Sequence, residues 1–183
     1  MSPGGHLVTT AAACAAVYAG TGSAELVAGL AAGGFLIDID HVLDYVLFER
    51  RRDLRPGTFL RYYLDGKAKR VVLVLHSYEL LALLAALAWL TRVDWLWGWV
   101  LGMLLHLPLD VIFNGKFASG GLVHFYSFIV RARAGFLAER FMDRHPQPVP
   151  ADDFWGAFFA GARLAGDPGP RAEASRASEP VRG

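Results

Sequence analysis

Between Trp95 and Asn114 an apolar run is interrupted by His106-Leu107-Pro108-Leu109-Asp110, which sets an imidazole and a carboxylate four residues apart. Residues so spaced share one helix face. In hydrocarbon such groups are costly unless they pair or hold a metal. For the pair alone a helix-packing hydrogen bond is the alternative to ligation; joined by more imidazoles and carboxylates it becomes part of a donor set for Zn²⁺, Mn²⁺ or Fe. Pro108 cannot donate to the Leu104 carbonyl, so a kink is expected between the two polar groups, turning them toward a cavity rather than lipid.

Groups of the same kind recur upstream. His6 stands in the first apolar stretch, Asp38-Ile39-Asp40-His41 and Asp44 interrupt the second, and His76, Ser77 and Glu79 open the third. If the turns near Gly22 and Arg92 lie on one side of a bilayer, His6 falls sixteen residues before the first turn and Asp38 sixteen after it. His76 falls sixteen before the second turn, and His106 and Asp110 fourteen and eighteen after it. At the helical rise all five lie ~21–27 Å from the turns, in one layer. His6, Asp38, His76, His106 and Asp110 are therefore the expected ligands of a divalent ion.

The donors outnumber those of one tetrahedral site, which allows two ions, and Cys14 as the only cysteine excludes a thiolate-rich site. A divalent pair would lower the pKa of a bound water and aim a hydroxide at an ester. Asp40, His41 and Glu79 are the candidates for handling protons. Glu79, read as one helical turn from His76, fits equally as ligand, general base or orienting group. Asp38 and Asp40 point apart on a regular helix, so both reach one site only if the backbone breaks, and Gly33-Gly34 supplies a place for that. The structural alternatives are a hydrogen-bonding role for His76 and backbone satisfaction by Ser77. His124 and His145 fall outside the layer.

Apolar helices must carry these residues. The chain has 183 residues, 54% hydrophobic and 13% aromatic, with a net charge of +1, too apolar for a small soluble domain and without a footing for nucleic acid as partner. The fold expected is all-α: a polytopic membrane bundle of about four helices over 1–145, an interfacial amphipathic helix over 146–165, and a disordered tail over 166–183. Val71 to Leu90 reads as a 20-residue span, Trp95, Trp97 and Trp99 as an interfacial belt, and Leu122 to about Arg144 as a further helix leaving the membrane. No Lys or Arg precedes the first apolar run, which reads against a cleaved signal, and Ala11-Ala12-Ala13-Cys14 is only faintly like a lipoprotein site. From Glu49 to Arg70 eight Lys/Arg face three acids, the mark of a cytoplasmic loop that can also meet anionic lipid or phosphate. The expected placement is a bacterial cytoplasmic membrane, with that loop and the C-terminus inside and Thr91 to Asp94 outside.

The order of the motifs, His6, then Asp38-Ile39-Asp40-His41, then His76-Ser77, then His106 with Asp110, resembles the bacterial membrane-bound metal-dependent hydrolase family, also called YdjM-like or LexA-regulated inner-membrane hydrolases. The similarity covers roughly His6 to Phe136. That family shows a Pro-Asp-x-Asp-His motif where Ile37 replaces the proline, and a histidine-arginine where this chain has Lys69-Arg70. The resemblance implies a multi-helix membrane protein with a metal site and phosphoesters as the natural substrate class. A more distant similarity, to zinc-dependent phospholipases C and P1-type nucleases, rests on His-x-x-x-Asp alone. A non-catalytic membrane protein that binds or passes metal ions is the competing expectation.

Overall fold

The computed structural model describes residues 1–147 and 153–164, which are helical apart from turns, extended connections and two isolated bridge pairs. The expected tail over 166–183 lies outside the described residues. Ser2 caps α1 (Pro3–Thr21), its hydroxyl accepting from the Gly5 amide at 3.1 Å, with Pro3 preset for the first turn. Gly22, at φ +67, closes that helix, and Ser23 caps α2 (Ala24–Gly34). A tight helical hairpin results.

The main packing of the bundle is α2 against α6 (Asp94–Asn114), and glycines make it close. A Cβ on Gly98 would stand 2.0 Å from the Leu26 carbonyl oxygen, and one on Gly29 2.0 Å from that of Trp95. The two backbones therefore touch, as small residues allow between membrane helices. α6 runs through Pro108 as one continuous helix, and the exposed Pro108 ring sits on its outer face. Of the expected aromatic belt, Trp95 is exposed, whereas Trp97 and Trp99 pack against the core.

After Gly34 the chain bends by 42°. A 3-10 turn, Leu36–Asp38, leads into α3 (Ile39–Leu43) and a π-helical turn, Asp44–Phe48. α4 (Pro56–Leu64) follows within the basic segment, where the Glu49 carboxylate accepts from the Tyr62 hydroxyl and from the Lys69 and Arg70 amides.

The expected span from Val71 is not a single helix. α5 begins only at Tyr78 and ends at Thr91, 14 residues, and residues 71–77 are non-helical. The reason lies in Ser77, whose hydroxyl takes the Leu80 amide at 3.3 Å and so starts the helix there. Val71, Val72 and Leu73 are buried nonetheless. Likewise Leu122 to Arg144 is not one helix but short turns around α7 (Phe128–Arg133), since Gly135 and Phe136 both adopt positive φ. The last described element, α8 (Phe154–Ala160), is capped by Asp153 and packs on α4 and α1.

By length and composition one helix, Asp94–Phe117, suffices to cross a membrane, and the bent pair Ala24–Gly34 with Leu36–Phe48 passes the same test taken together. The full set of about four spans is not reached on that criterion, because α5 covers only ~21 Å and α1, though 19 residues long, does not meet it either.

Candidate metal centre

Each wall of the polar cluster is set by a local feature. His6 lies in the first turns of α1, whose cap fixes that end against α6. His106 projects from α6 toward α2, and its Nδ1 meets the carbonyl oxygen of Gly34 at 2.9 Å. That contact depends on the glycine packing, since Gly102 lies with its Cβ position 2.5 Å from the Gly34 nitrogen. The break after Gly34 then brings Asp38, Asp40 and His41 round to the same space, as two carboxylates two residues apart require.

His76 arrives on the non-helical stretch, which is held by side chains from three other elements. Asp44 accepts from the Val72 amide at 2.6 Å, and Asp40 accepts from the amides of Leu75 and His76. Arg131, wholly buried, donates to the carbonyls of Val72, Leu73, His76 and Phe125. Leu73 sits at φ +44, a conformation that a bulky residue adopts only when its surroundings impose it.

At the centre, His76 Nε2 and His106 Nε2 are 3.2 Å apart. Asp38 Oδ1 lies 3.3 Å from the first and 3.6 Å from the second, and Asp110 Oδ2 lies 3.2 Å from His106 Nε2. The other oxygen of Asp110 accepts from His6 Nε2 and Asn114 Nδ2, both at 2.9 Å, and from the Met1 amine at 2.7 Å. The His6 and His106 rings stack, centroids 3.8 Å apart. His41 Nε2 is 3.9 Å from Asp38 Oδ1, and these two side chains, 31% and 29% exposed, form the open side of an otherwise closed cluster.

The proton positions follow from the partners. The Gly34 carbonyl offers only lone pairs, so Nδ1 of His106 carries the hydrogen. Asp40 Oδ2 already receives two amides, so it also accepts from His76 Nδ1 at 3.3 Å. With both imidazoles neutral, the two Nε2 atoms present lone pairs to each other and to two carboxylate oxygens, an arrangement that either a proton or a metal cation relieves. Ligand atoms around a tetrahedral ion with ~2.0–2.1 Å bonds lie ~3.3 Å apart, close to the spacing of the pairs His76–His106, His76–Asp38, His106–Asp38 and His106–Asp110. His6 Nδ1 and His41 Nδ1 are buried without a hydrogen-bond partner. Two groups, His6/His106/Asp110 and Asp38/His41/His76, each bring their donor atoms within 4.8 Å and could hold a metal ion. The residues present thus fit a divalent metal, through nitrogen and oxygen donors alone.

The structure brings together all five of the expected ligands, with Asp40 and His41 beside them. Glu79 it places elsewhere. Because α5 starts at Tyr78, His76 is not one turn from Glu79 on a shared helix, and the Glu79 carboxylate instead accepts from Ser127 Oγ at 2.6 Å and the Phe128 amide at 2.8 Å, capping α7. Asp40 serves as an anchor, its Oδ2 occupied by three donors. Ser77 caps α5 and satisfies backbone. Arg131, Asp44 and Tyr126 were not legible as site residues. Burial, then the Asp110 carboxylate beside it, pushes the Tyr126 phenol well above its ordinary value. A lone arginine in a stretch of arginines gives no sign that it alone turns inward. Scans of the chain against protein-family models, curated proteins and solved structures return no match.

Proposed function

We propose that this chain is an integral membrane metal-dependent hydrolase acting on a phosphoester or other amphiphilic ester. The observation that carries the reading is that His76 Nε2, Asp38 Oδ1 and Asp110 Oδ2 all lie 3.2–3.6 Å from His106 Nε2, with both imidazole Nδ1 atoms already engaged. The inside-out distribution of side chains supports a bilayer setting. His6, Asp40, Asp44, His76, His106 and Asp110 are buried, while Leu83, Leu90, Leu104 and Ile112 are 51–77% exposed on α5 and α6. Residues 71–77 extend the 14 residues of α5 toward the ~30 Å of a hydrocarbon core, and non-helical backbone is tolerated at that depth when protein buries it. α1, the bent α2–α3 pair, α5 and α6 then form the four-helix bundle, with Glu49 to Arg70 on the cytoplasmic side of a bacterial inner membrane.

In this reading Asp38, His76, His106, Asp110 and His6 hold a divalent ion, Zn²⁺ or Mn²⁺. When bound, the ion supplies a Lewis acid and lowers the pKa of water toward neutrality. The protein's own groups do the remainder. The Gly34 carbonyl and Asp40 fix the tautomers of His106 and His76. His41, half-exposed at the open side, is placed to take a proton from water at Nε2 and return it to the leaving oxygen.

Elemental analysis of detergent-purified protein tests the metal, with His106→Ala and Asp38→Ala expected to lose it. A phosphoester panel then tests turnover. Unchanged metal content in both variants overturns the site, and stoichiometric metal without turnover on the panel favours a non-catalytic metal-binding membrane protein.

A further inference from the structure

The basic segment does more than carry charge. Arg50, Arg51, Arg52, Arg55, Arg61 and Lys67 converge on one open cavity of about 990 Å³, closed on its far side by α8. Two carboxylates share that wall, and both are engaged: Asp53 pairs with Arg55 at 2.7 Å, and Asp153 takes the amides of Trp155 and Gly156. Arg51 stacks on the Tyr62 ring at 5.2 Å, and Lys67 meets Asp65 at 2.8 Å. That leaves Arg50, Arg52 and Arg61 without an anionic partner among the described residues. A topology signal needs only the number of cations on one side of the bilayer. It does not need them around one cavity, and the convergence calls for an anion.

We propose that this cavity binds the phosphate of an anionic lipid headgroup. Guanidinium forks match phosphate oxygens two at a time, which ammonium groups do not. The volume falls in the range of sites that enclose a molecule well beyond inorganic phosphate. Its walls also include the apolar Leu60, Phe154 and Ala157. Lipid is favoured over a soluble phosphate because the elements that wall the cavity expose large apolar side chains: Leu54 is 58% exposed and Trp155 61%. Those residues can enter the acyl region while the arginines hold the headgroup. The site stands apart from the His/Asp cluster and does not rest on its reading.

The test is a titration of the full chain in detergent with dihexanoyl phosphatidic acid, dihexanoyl phosphatidylcholine and glycerol 3-phosphate. Phosphatidic acid should bind tightest, and Arg52→Gln with Arg61→Gln should weaken it by about tenfold or more, the worth of a charge-assisted hydrogen bond. Arg133→Gln with Arg140→Gln, equally exposed but outside the cavity, should leave binding unchanged, and Leu54→Ser with Trp155→Ser should weaken the lipid and not glycerol 3-phosphate. Equal loss in the two arginine pairs, or no loss in the cavity pair, overturns the site. Glycerol 3-phosphate binding as tightly as phosphatidic acid overturns the lipid assignment.

Discussion

Asp110 is where ligand and packing roles differ most in their consequences. As packing glue, an interhelical hydrogen bond in a membrane averages only ~0.6 kcal/mol, and an amide would largely replace it. As a ligand, its anionic oxygen has no amide equivalent. Asp110→Asn is therefore expected to lose most of the bound metal, measured by elemental analysis, while Leu109→Ala, one residue away, keeps it. Asp40 makes a second-order case. Its carboxylate orients His76 and anchors two amides, so Asp40→Asn should weaken metal binding about 10–100-fold without abolishing it. Glu79→Gln should destabilise the fold by ~1 kcal/mol through the α7 cap, read as a lower melting temperature, and leave metal content alone. Spacing made His6, His106 and Asp110 legible, because each lies on a helix with a fixed rise per residue, whereas Asp38 and His76 reach the cluster from a 3-10 turn and a non-helical stretch to which that rise does not apply. Glu79 was misplaced because a fixed rise holds only inside a helix, and Ser77 starts that helix after His76.

Elements hold the site through backbone contacts that composition does not reveal. A methyl group on Gly98 would overlap the Leu26 carbonyl, so Gly98→Ala must push α2 from α6, costing ~1–3 kcal/mol or more. The same shift moves the Gly34 carbonyl from His106, so metal affinity should fall along with the melting temperature in detergent. Gly20→Ala provides the comparison: nothing lies within 4 Å of its added Cβ, and the variant should be neutral or slightly stabilising. Glu49 ties the basic segment together in a pH-dependent way. Burial pushes its carboxyl up, but the donors from Tyr62, Arg70 and Lys69 outweigh this and leave it lowered. A lowered folded value means the tie is fully present above the unfolded value of about 4.3 and is lost as pH falls through the folded one. Hydrogen-exchange protection of the Lys69 and Arg70 amides, corrected for intrinsic rate, should therefore hold at neutral pH and collapse in acid. The hairpin of α1 and α2 and the break at Gly34 were legible from glycine and serine positions. The extended stretch of residues 71–77 was not, since its apolar residues read as a span, and the groups that satisfy its backbone come from Asp44 and from Arg131, far along the chain.

For the whole molecule the membrane reading makes a topological commitment. After Cys14→Ser, single cysteines at Arg61 and Arg92 should label from opposite sides of sealed vesicles, and same-side labelling would remove the shared layer of polar residues. Metal and bundle should also be linked: ligand that binds only the folded state adds stability, so chelation should lower the melting temperature. Arg131 gives the assembly a direction in time. Every expected metal ligand has been made by Asp110, yet His76 is held in place by a guanidinium that joins the chain 21 residues later and clasps carbonyls up to 59 positions back. A nascent chain that has passed all its expected ligands still lacks the clasp that sets one of them, so His76 takes its place only after Arg131 has been added. Chains halted before Phe128 should insert in the membrane and yet take up less metal than the full chain, as elemental analysis of the two would show.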